Sequence, residues 1–235
     1  MTAALELDGI SSGYGEALVL RDLDLVIGAG EIFALLGKNG MGKSTLLKTV
    51  MGFLPARSGR IRVAGADTTG LPPHRVARRS IAYTPQEQAL FQDLTVADNL
   101  RLVLPGATKR VEAGLARIAA WFPVLQERMH QRAGTLSGGE QKMLLVARAL
   151  LAEPKLMLVD EITEGLQPTM VAAVADVLSE ERRRGGVAIL LVEQNVRFAH
   201  SIADRFAVLK RGEIVLRGSF SDPDASGNIE EHLSV

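Results

Sequence analysis

Apolar runs punctuate this chain, and the way each one ends differs. Glu31-Ile32-Phe33-Ala34-Leu35-Leu36 is almost unbroken apolar, as a strand covered on both faces requires. Leu156-Met157-Leu158-Val159 is a second such run and stops at Asp160-Glu161. Leu23, Leu25 and Ile27 alternate with Asp22, Asp24 and Val26, the period of a half-buried strand. Residues 4–10 read as another strand, with Ser11-Ser12-Gly13-Tyr14-Gly15 as the turn after it. Gly59 to Gly65 and Ile81-Ala82-Tyr83 predict short strands, and Pro72-Pro73 opens a short basic helix between them. From 88 to 134 the period becomes helical. Thr95–Leu104 and Lys109–Trp121 are the helical stretches, broken by Pro105-Gly106 and Pro123. Thr95-Val96-Ala97-Asp98 is a helix-start signature. Strands and helices alternate again from Leu136 to Gly218, and residues 219–235 read as a polar, loosely specified tail. The pattern predicts one α/β domain over 1–235, with 88–134 as an inserted helical subdomain.

Between the first apolar run and the helix that follows it lies Gly37-Lys38-Asn39-Gly40-Met41-Gly42-Lys43-Ser44-Thr45, which fits the P-loop pattern G-x-x-x-x-G-K-[ST]. The glycines let successive backbone N–H groups turn inward toward phosphate oxygens, and the helix N-terminus adds partial positive charge. Lys43 is expected to reach the β- and γ-phosphates and Ser44 to bind Mg²⁺. Asp160, at the end of a buried strand, is placed to hold the same ion through water. Glu161 beside it suits a general base for the attacking water. A strand capped by solvated acids would look the same in isolation; the upstream P-loop favours the functional reading.

Ser137 and Glu140 form an S-x-x-E capping box, so a helix should begin there and run on through Met143, Leu144, Ala147, Leu150 and Leu151. Gly138 and Gly139 fall just inside it, where each costs about 1 kcal/mol relative to alanine. Close approach of the backbone to a phosphate would justify both.

Composition narrows the classes. The chain has 235 residues, 47% hydrophobic and 23% charged, enough for a sizeable globular core. Lys+Arg and Asp+Glu are 27 each, and aromatics are 4%, which argues against a nucleic-acid partner held by charge and stacking. There is no cysteine, hence no disulfide or thiolate metal site. The first ten residues are no signal peptide, and no apolar run reaches the roughly 18 residues of a membrane span. Any membrane role is expected to be peripheral.

A P-loop, then Leu136-Ser137-Gly138-Gly139-Glu140-Gln141, then an apolar strand ending in Asp160-Glu161 resembles the ATP-binding subunit of ABC transporters over nearly the whole chain. The resemblance implies a P-loop NTPase core with an antiparallel β subdomain and the inserted α-helical subdomain. It implies ATP and Mg²⁺ as ligands, and two ATP-binding subunits head to tail with each ATP between one P-loop and the other's Ser137–Glu140 signature. Tyr14 resembles the aromatic that stacks on adenine. Gln86, after Tyr83-Thr84-Pro85, matches the glutamine that contacts Mg²⁺ and the attacking water. Gln194 takes the γ-phosphate-sensing position that is usually histidine, and a carboxamide does not ionise near neutral pH. Ile162 stands where proline is usual, and Gln167 where aspartate usually precedes Pro168.

Glu164-Gly165-Leu166-Gln167-Pro168 and Val192-Glu193-Gln194-Asn195 resemble the shorter ATPase of branched-chain amino acid importers, as do Met51-Gly52-Phe53-Leu54 and Leu71-Pro72-Pro73-His74. The urea-importer ATPase is a close alternative. A lipid or lipopolysaccharide exporter ATPase and a soluble ABC ATPase acting on DNA or ribosomes stand further off. The resemblance implies a second, identical or paralogous ATPase, two permease subunits, an indirectly coupled solute-binding protein, and a place on the cytoplasmic face of the cell membrane. Phe91, Leu94 and Val96 are candidate permease contacts, with core packing as the competing reading for each.

Overall fold

The computed structural model of the chain describes residues 3–86, 90–104 and 108–234. Two long strands open it. β1 (Ala3–Tyr14) and β2 (Ala17–Gly28) pair antiparallel, and β1 also pairs with β4 (Ala56–Val63), which carries the two-residue β5 (Ala66–Asp67). The expected turn at 11–15 is a correction: β1 continues through Ser11-Ser12-Gly13-Tyr14, with register shifts on either side of Ser12. Ser12 tolerates full burial because its hydroxyl donates to the Pro55 carbonyl at 3.0 Å and accepts from Thr49 Oγ1 at 2.9 Å. At Gly13 a Cβ would lie 2.0 Å from the Ala17 carbonyl oxygen, so only glycine lets the hairpin close.

The second sheet has the order β10-β9-β3-β8-β7-β6. β3 (Ile32–Leu36), β6 (Ile81–Thr84), β7 (Leu156–Asp160), β8 (Ala188–Glu193) and β9 (Arg205–Lys210) run parallel, and β10 (Glu213–Ser219) returns antiparallel along the edge. β3, β7 and β8 are buried at every position, which is why their sequences are unbroken apolar runs. Phe33, Leu35, Leu158 and Leu190 face α1 (Lys43–Val50) and the antiparallel sheet. Ile32, Ala34, Val159 and Leu191 face the opposite core, against α6 (Gly138–Leu151), α7 (Pro168–Gly185) and α8 (Val196–Ile202).

Between β6 and α6 lie α3 (Val96–Arg101), α4 (Thr108–Trp121) and α5 (Pro123–Glu127), with α2 (Pro73–Ala77) before β6. Thr95 caps α3 by accepting from the Asp98 amide at 3.1 Å, and Pro123 starts α5. Gln88 and the Pro105-Gly106 break fall outside the described residues. Leu100, Ile118 and Leu125 join the same core as Ile32 and Val159. The loosely specified tail is also corrected: α9 (Ala225–Ser234) follows β10 and buries Ala225 and Ile229 in that core.

β3, β7 and β8 place Leu36, Asp160 and Glu193 near one another, since Leu36 pairs with Glu193 and Asp160 with Val192. Their C-terminal loops therefore emerge side by side, where parallel α/β sheets bind ligands.

Candidate functional site

After Leu36 the chain turns through Gly40 and Gly42, at φ 78° and 105°, conformations that side chains with a Cβ resist. Gly42 precedes α1 and offers no side-chain cap, so the first N–H groups of the helix have no side-chain acceptor there. Gly37 has a different reason: a Cβ would stand 2.6 Å from the Leu209 carbonyl oxygen of β9. Met41 anchors the outer side of the loop, its carbonyl accepting from the Gly212 amide at 3.1 Å. Lys43 Nζ donates back to the Lys38 carbonyl at 2.9 Å and closes the loop.

The loop borders a cleft of about 480 Å³, within the range of small-molecule sites. Asn39, Gly40, Gly42, Lys43, Ser44 and Thr45 line one side. Tyr14, 46% exposed at the end of β1, stands at another, and Gln86 and Glu161 complete it. Val19 of β2 also lines the cleft. Sequence reasoning missed it, because a lone valine in a strand carries no signal of its own.

Asp160 is buried, accepting from Ser44 Oγ at 3.2 Å and from the Tyr83 hydroxyl at 3.4 Å. Burial pushes its carboxyl up, and the Ser44 hydrogen bond opposes that. Burial, followed by the charge of Asp160, pushes the Tyr83 hydroxyl up, so it stays a donor. Tyr83 is a site residue that the sequence presented only as part of a strand.

Glu161 takes a left-handed φ of 47°, which turns its side chain out of the line of β7. Its Oε1 meets Lys43 Nζ at 2.9 Å, with both side chains 5% exposed or less. Oε2 accepts from Gln86 Nε2 at 3.3 Å and from Gln194 Nε2 at 3.2 Å. Gln194 also donates to Asn39 Oδ1 at 2.8 Å, and Gln86 to Glu164 at 2.6 Å. One hydrogen-bonded network thus joins the P-loop, the end of β7, the residue after β8 and the segment after β6. Lys43 Nζ is thus held between the Lys38 carbonyl and the Glu161 carboxylate.

Ser137 caps α6 as the sequence predicts: the Glu140 amide donates to Ser137 Oγ at 3.3 Å and the Ser137 amide to Glu140 Oε2 at 2.9 Å. Arg128 pairs with the other Glu140 oxygen at 3.2 Å, so that carboxylate is spent inside the chain. The two glycines separate. A Cβ on Gly139 would lie 2.3 Å from Met170 Sδ, so packing against α7 explains it without a phosphate. Gly138 has nothing within 4 Å and, like Ser137, is exposed. None of 137–140 is among the described residues lining the P-loop cleft.

A sequence profile of the family described as "ABC transporter" matches residues 20–164, from β2 to the loop after β7. The chain belongs to the ABC transporter ATPase family. This ABC ATPase is 43% identical over 213 residues to the "High-affinity branched-chain amino acid transport ATP-binding protein BraG" of Pseudomonas aeruginosa, covering 90% of this chain and 91% of the relative. It is 37% identical over 218 residues to the "Probable branched-chain amino acid transport ATP-binding protein LivF" of Archaeoglobus fulgidus, covering 91% of each. Among solved structures, a nucleotide-free ATP-binding cassette from an ABC transporter superposes with a TM-score of 0.85 at 25% identity, over 97% of this ABC ATPase and 95% of that chain. The expected ABC cassette fold, with its parallel core sheet and separate antiparallel sheet, is therefore the one observed.

Proposed function

We propose that this ABC ATPase is the ATP-hydrolysing subunit of a membrane importer for branched-chain amino acids. The observation that carries the reading is the 43% identity with a branched-chain amino acid transport ATP-binding protein along nine-tenths of both chains. Within it, Tyr14 stacks on the adenine and the loop from Gly37 to Thr45 holds the phosphates. Lys43 moves from Glu161 to the β- and γ-phosphates, which frees the Glu161 carboxylate to take a proton from water. Gln86 and Gln194, both hydrogen-bonded to Glu161, position that water and sense the γ-phosphate.

Ser44 Oγ and the Asp160 carboxylate, 3.2 Å apart, are the hard oxygen donors that Mg²⁺ takes, and Gln86 offers a third. When bound, that ion neutralises charge on the phosphates. Ser137 and Gly138, exposed and not lining their own P-loop cleft, serve the cleft of a second ATP-binding subunit, identical or paralogous, arranged head to tail. Phe91 at 58% and Leu94 at 37% exposure are candidate contacts for a permease pair, whereas Val96 is fully buried and belongs to the core. Among the described residues no helix is long and apolar enough to cross a membrane. In this reading the permease holds the subunit at the cytoplasmic face.

The test is reconstitution of the ATPase with its co-purifying permease and solute-binding protein in vesicles. Leucine, isoleucine or valine should stimulate ATP turnover and urea should not. Stimulation by urea alone would overturn the substrate class.

A further inference from the structure

The segment 161–164, which follows β7, is held from two directions, by the neighbouring strand β8 and by helix α6. On the β8 side, the Glu161 amide donates to the Val192 carbonyl at 2.9 Å. The buried Glu193 carboxylate accepts from the Thr163 amide at 3.1 Å and from Thr163 Oγ1 at 3.0 Å. On the other side stands Lys142 of α6. Its ammonium donates to the Glu161 carbonyl at 3.2 Å and also to the Glu164 carbonyl. Lys142 lies four residues beyond Gly138, one turn further along the same face of the helix. A left-handed φ at a residue with a Cβ, as at Glu161, persists only where its surroundings over-determine it. Lys142 supplies part of that constraint from the helix whose first turn carries Ser137 and Gly138.

We propose that Lys142 is a positioning residue for hydrolysis, a tether between the signature helix and the carbonyls of Glu161 and Glu164 that fixes where the Glu161 carboxylate points. The consequence is a link inside one chain between the surface it offers to a second subunit and the carboxylate of its own cleft. A shift of the first turn of α6 moves Lys142, and Lys142 moves the backbone of Glu161. The inference rests on the reading that Glu161 activates water.

The test compares Lys142→Met, Lys142→Arg and Glu161→Gln in the full chain by ATP turnover, by fluorescent-nucleotide titration, and by hydrogen exchange of the amides between 161 and 166. In Lys142→Met, turnover should fall by roughly tenfold or more while the ATP Kd stays within about twofold, the signature of an interaction that matters in the transition state. Those amides should exchange faster than in the wild type. Lys142→Arg keeps a cationic donor and should return turnover to within roughly threefold of the wild type. Wild-type turnover in Lys142→Met, unchanged exchange at 161–166, or an equal loss of binding and turnover in both Lys142 variants would overturn the tether. If Glu161→Gln turned over normally, the Glu161 reading would fall, while faster exchange in Lys142→Met would leave the tether standing.

Discussion

Replacing Glu161 by glutamine should weaken the nucleotide-free protein and tighten its hold on ATP, and both effects come from one contact. The Lys43–Glu161 pair is 2.9 Å long, with side-chain exposures of 3% and 5%. Removing one partner of a buried pair costs about 3–5 kcal/mol, because the other charge is left without compensation. A glutamine oxygen still accepts from Lys43, and a hydrogen bond to a charged group returns about 1.5–3 kcal/mol. The net loss is about 1–2 kcal/mol, which for a chain of this size lowers Tm by roughly 2–8 °C. In the proposed mechanism Lys43 moves from Glu161 to the phosphates, and the wild type gives up that contact on binding. The variant holds Lys43 by a weaker contact, so that same difference should reappear as roughly 5–30-fold tighter ATP binding. Thermal unfolding without nucleotide and titration with a fluorescent ATP analogue read the two quantities. Unchanged Tm with unchanged Kd, or a lower Tm with weaker binding, would refute the reasoning. The same variant should hydrolyse ATP very slowly and accumulate as a stable ATP-bound dimer.

Ser137→Arg should abolish hydrolysis in the cleft of the partner subunit and spare its own. Mixed assemblies with one variant subunit test this, and loss confined to the variant's own cleft would refute the in-trans arrangement. Gly139→Ala puts a methyl group 2.3 Å from Met170 Sδ, whose flexible end must shift, whereas Gly138→Ala has open space, so the Gly139 variant should have the lower Tm of the two. Burial raises the Glu193 carboxyl above the ordinary carboxylate range, with the Thr163 hydrogen bonds opposing it. Between the unfolded carboxylate pKa and that raised value the folded chain binds the extra proton, so this group's contribution to stability falls as pH rises. Glu193→Gln should flatten that part of the stability-versus-pH curve measured by denaturant titration, although its carboxamide, with one acceptor oxygen in place of two, cannot keep both Thr163 contacts unchanged.

Much of the fold is legible in the sequence because strands buried on both faces must be contiguous apolar runs, as β3 and β7 are. The P-loop and the α6 cap are legible because their chemistry is local: backbone φ values and a helix end. Features that depend on distant partners are not. Ser11-Ser12-Gly13 reads as a turn until Pro55 and Thr49 satisfy the Ser12 hydroxyl and keep β1 running. Gly139 points to a phosphate until Met170, thirty-one residues on, occupies its missing side chain. Tyr83 shows its hydroxyl contact with Asp160 only once β6 and β7 are paired. α9 is polar enough to pass for a tail, and Ala225 and Ile229, with Leu233 packed beside them, commit it to the core.

Lys43, Ser44, Asp160 and Glu161 should hydrolyse ATP only when the Ser137-Gly138 surface of a second subunit closes their cleft. The decisive measurement is ATP turnover per chain across a wide range of chain concentrations, with the dimer fraction followed by sedimentation in the same solutions. Turnover should rise with concentration in step with the dimer and vanish where the chain is monomeric. Full turnover by the monomer would show that each chain holds a complete site by itself.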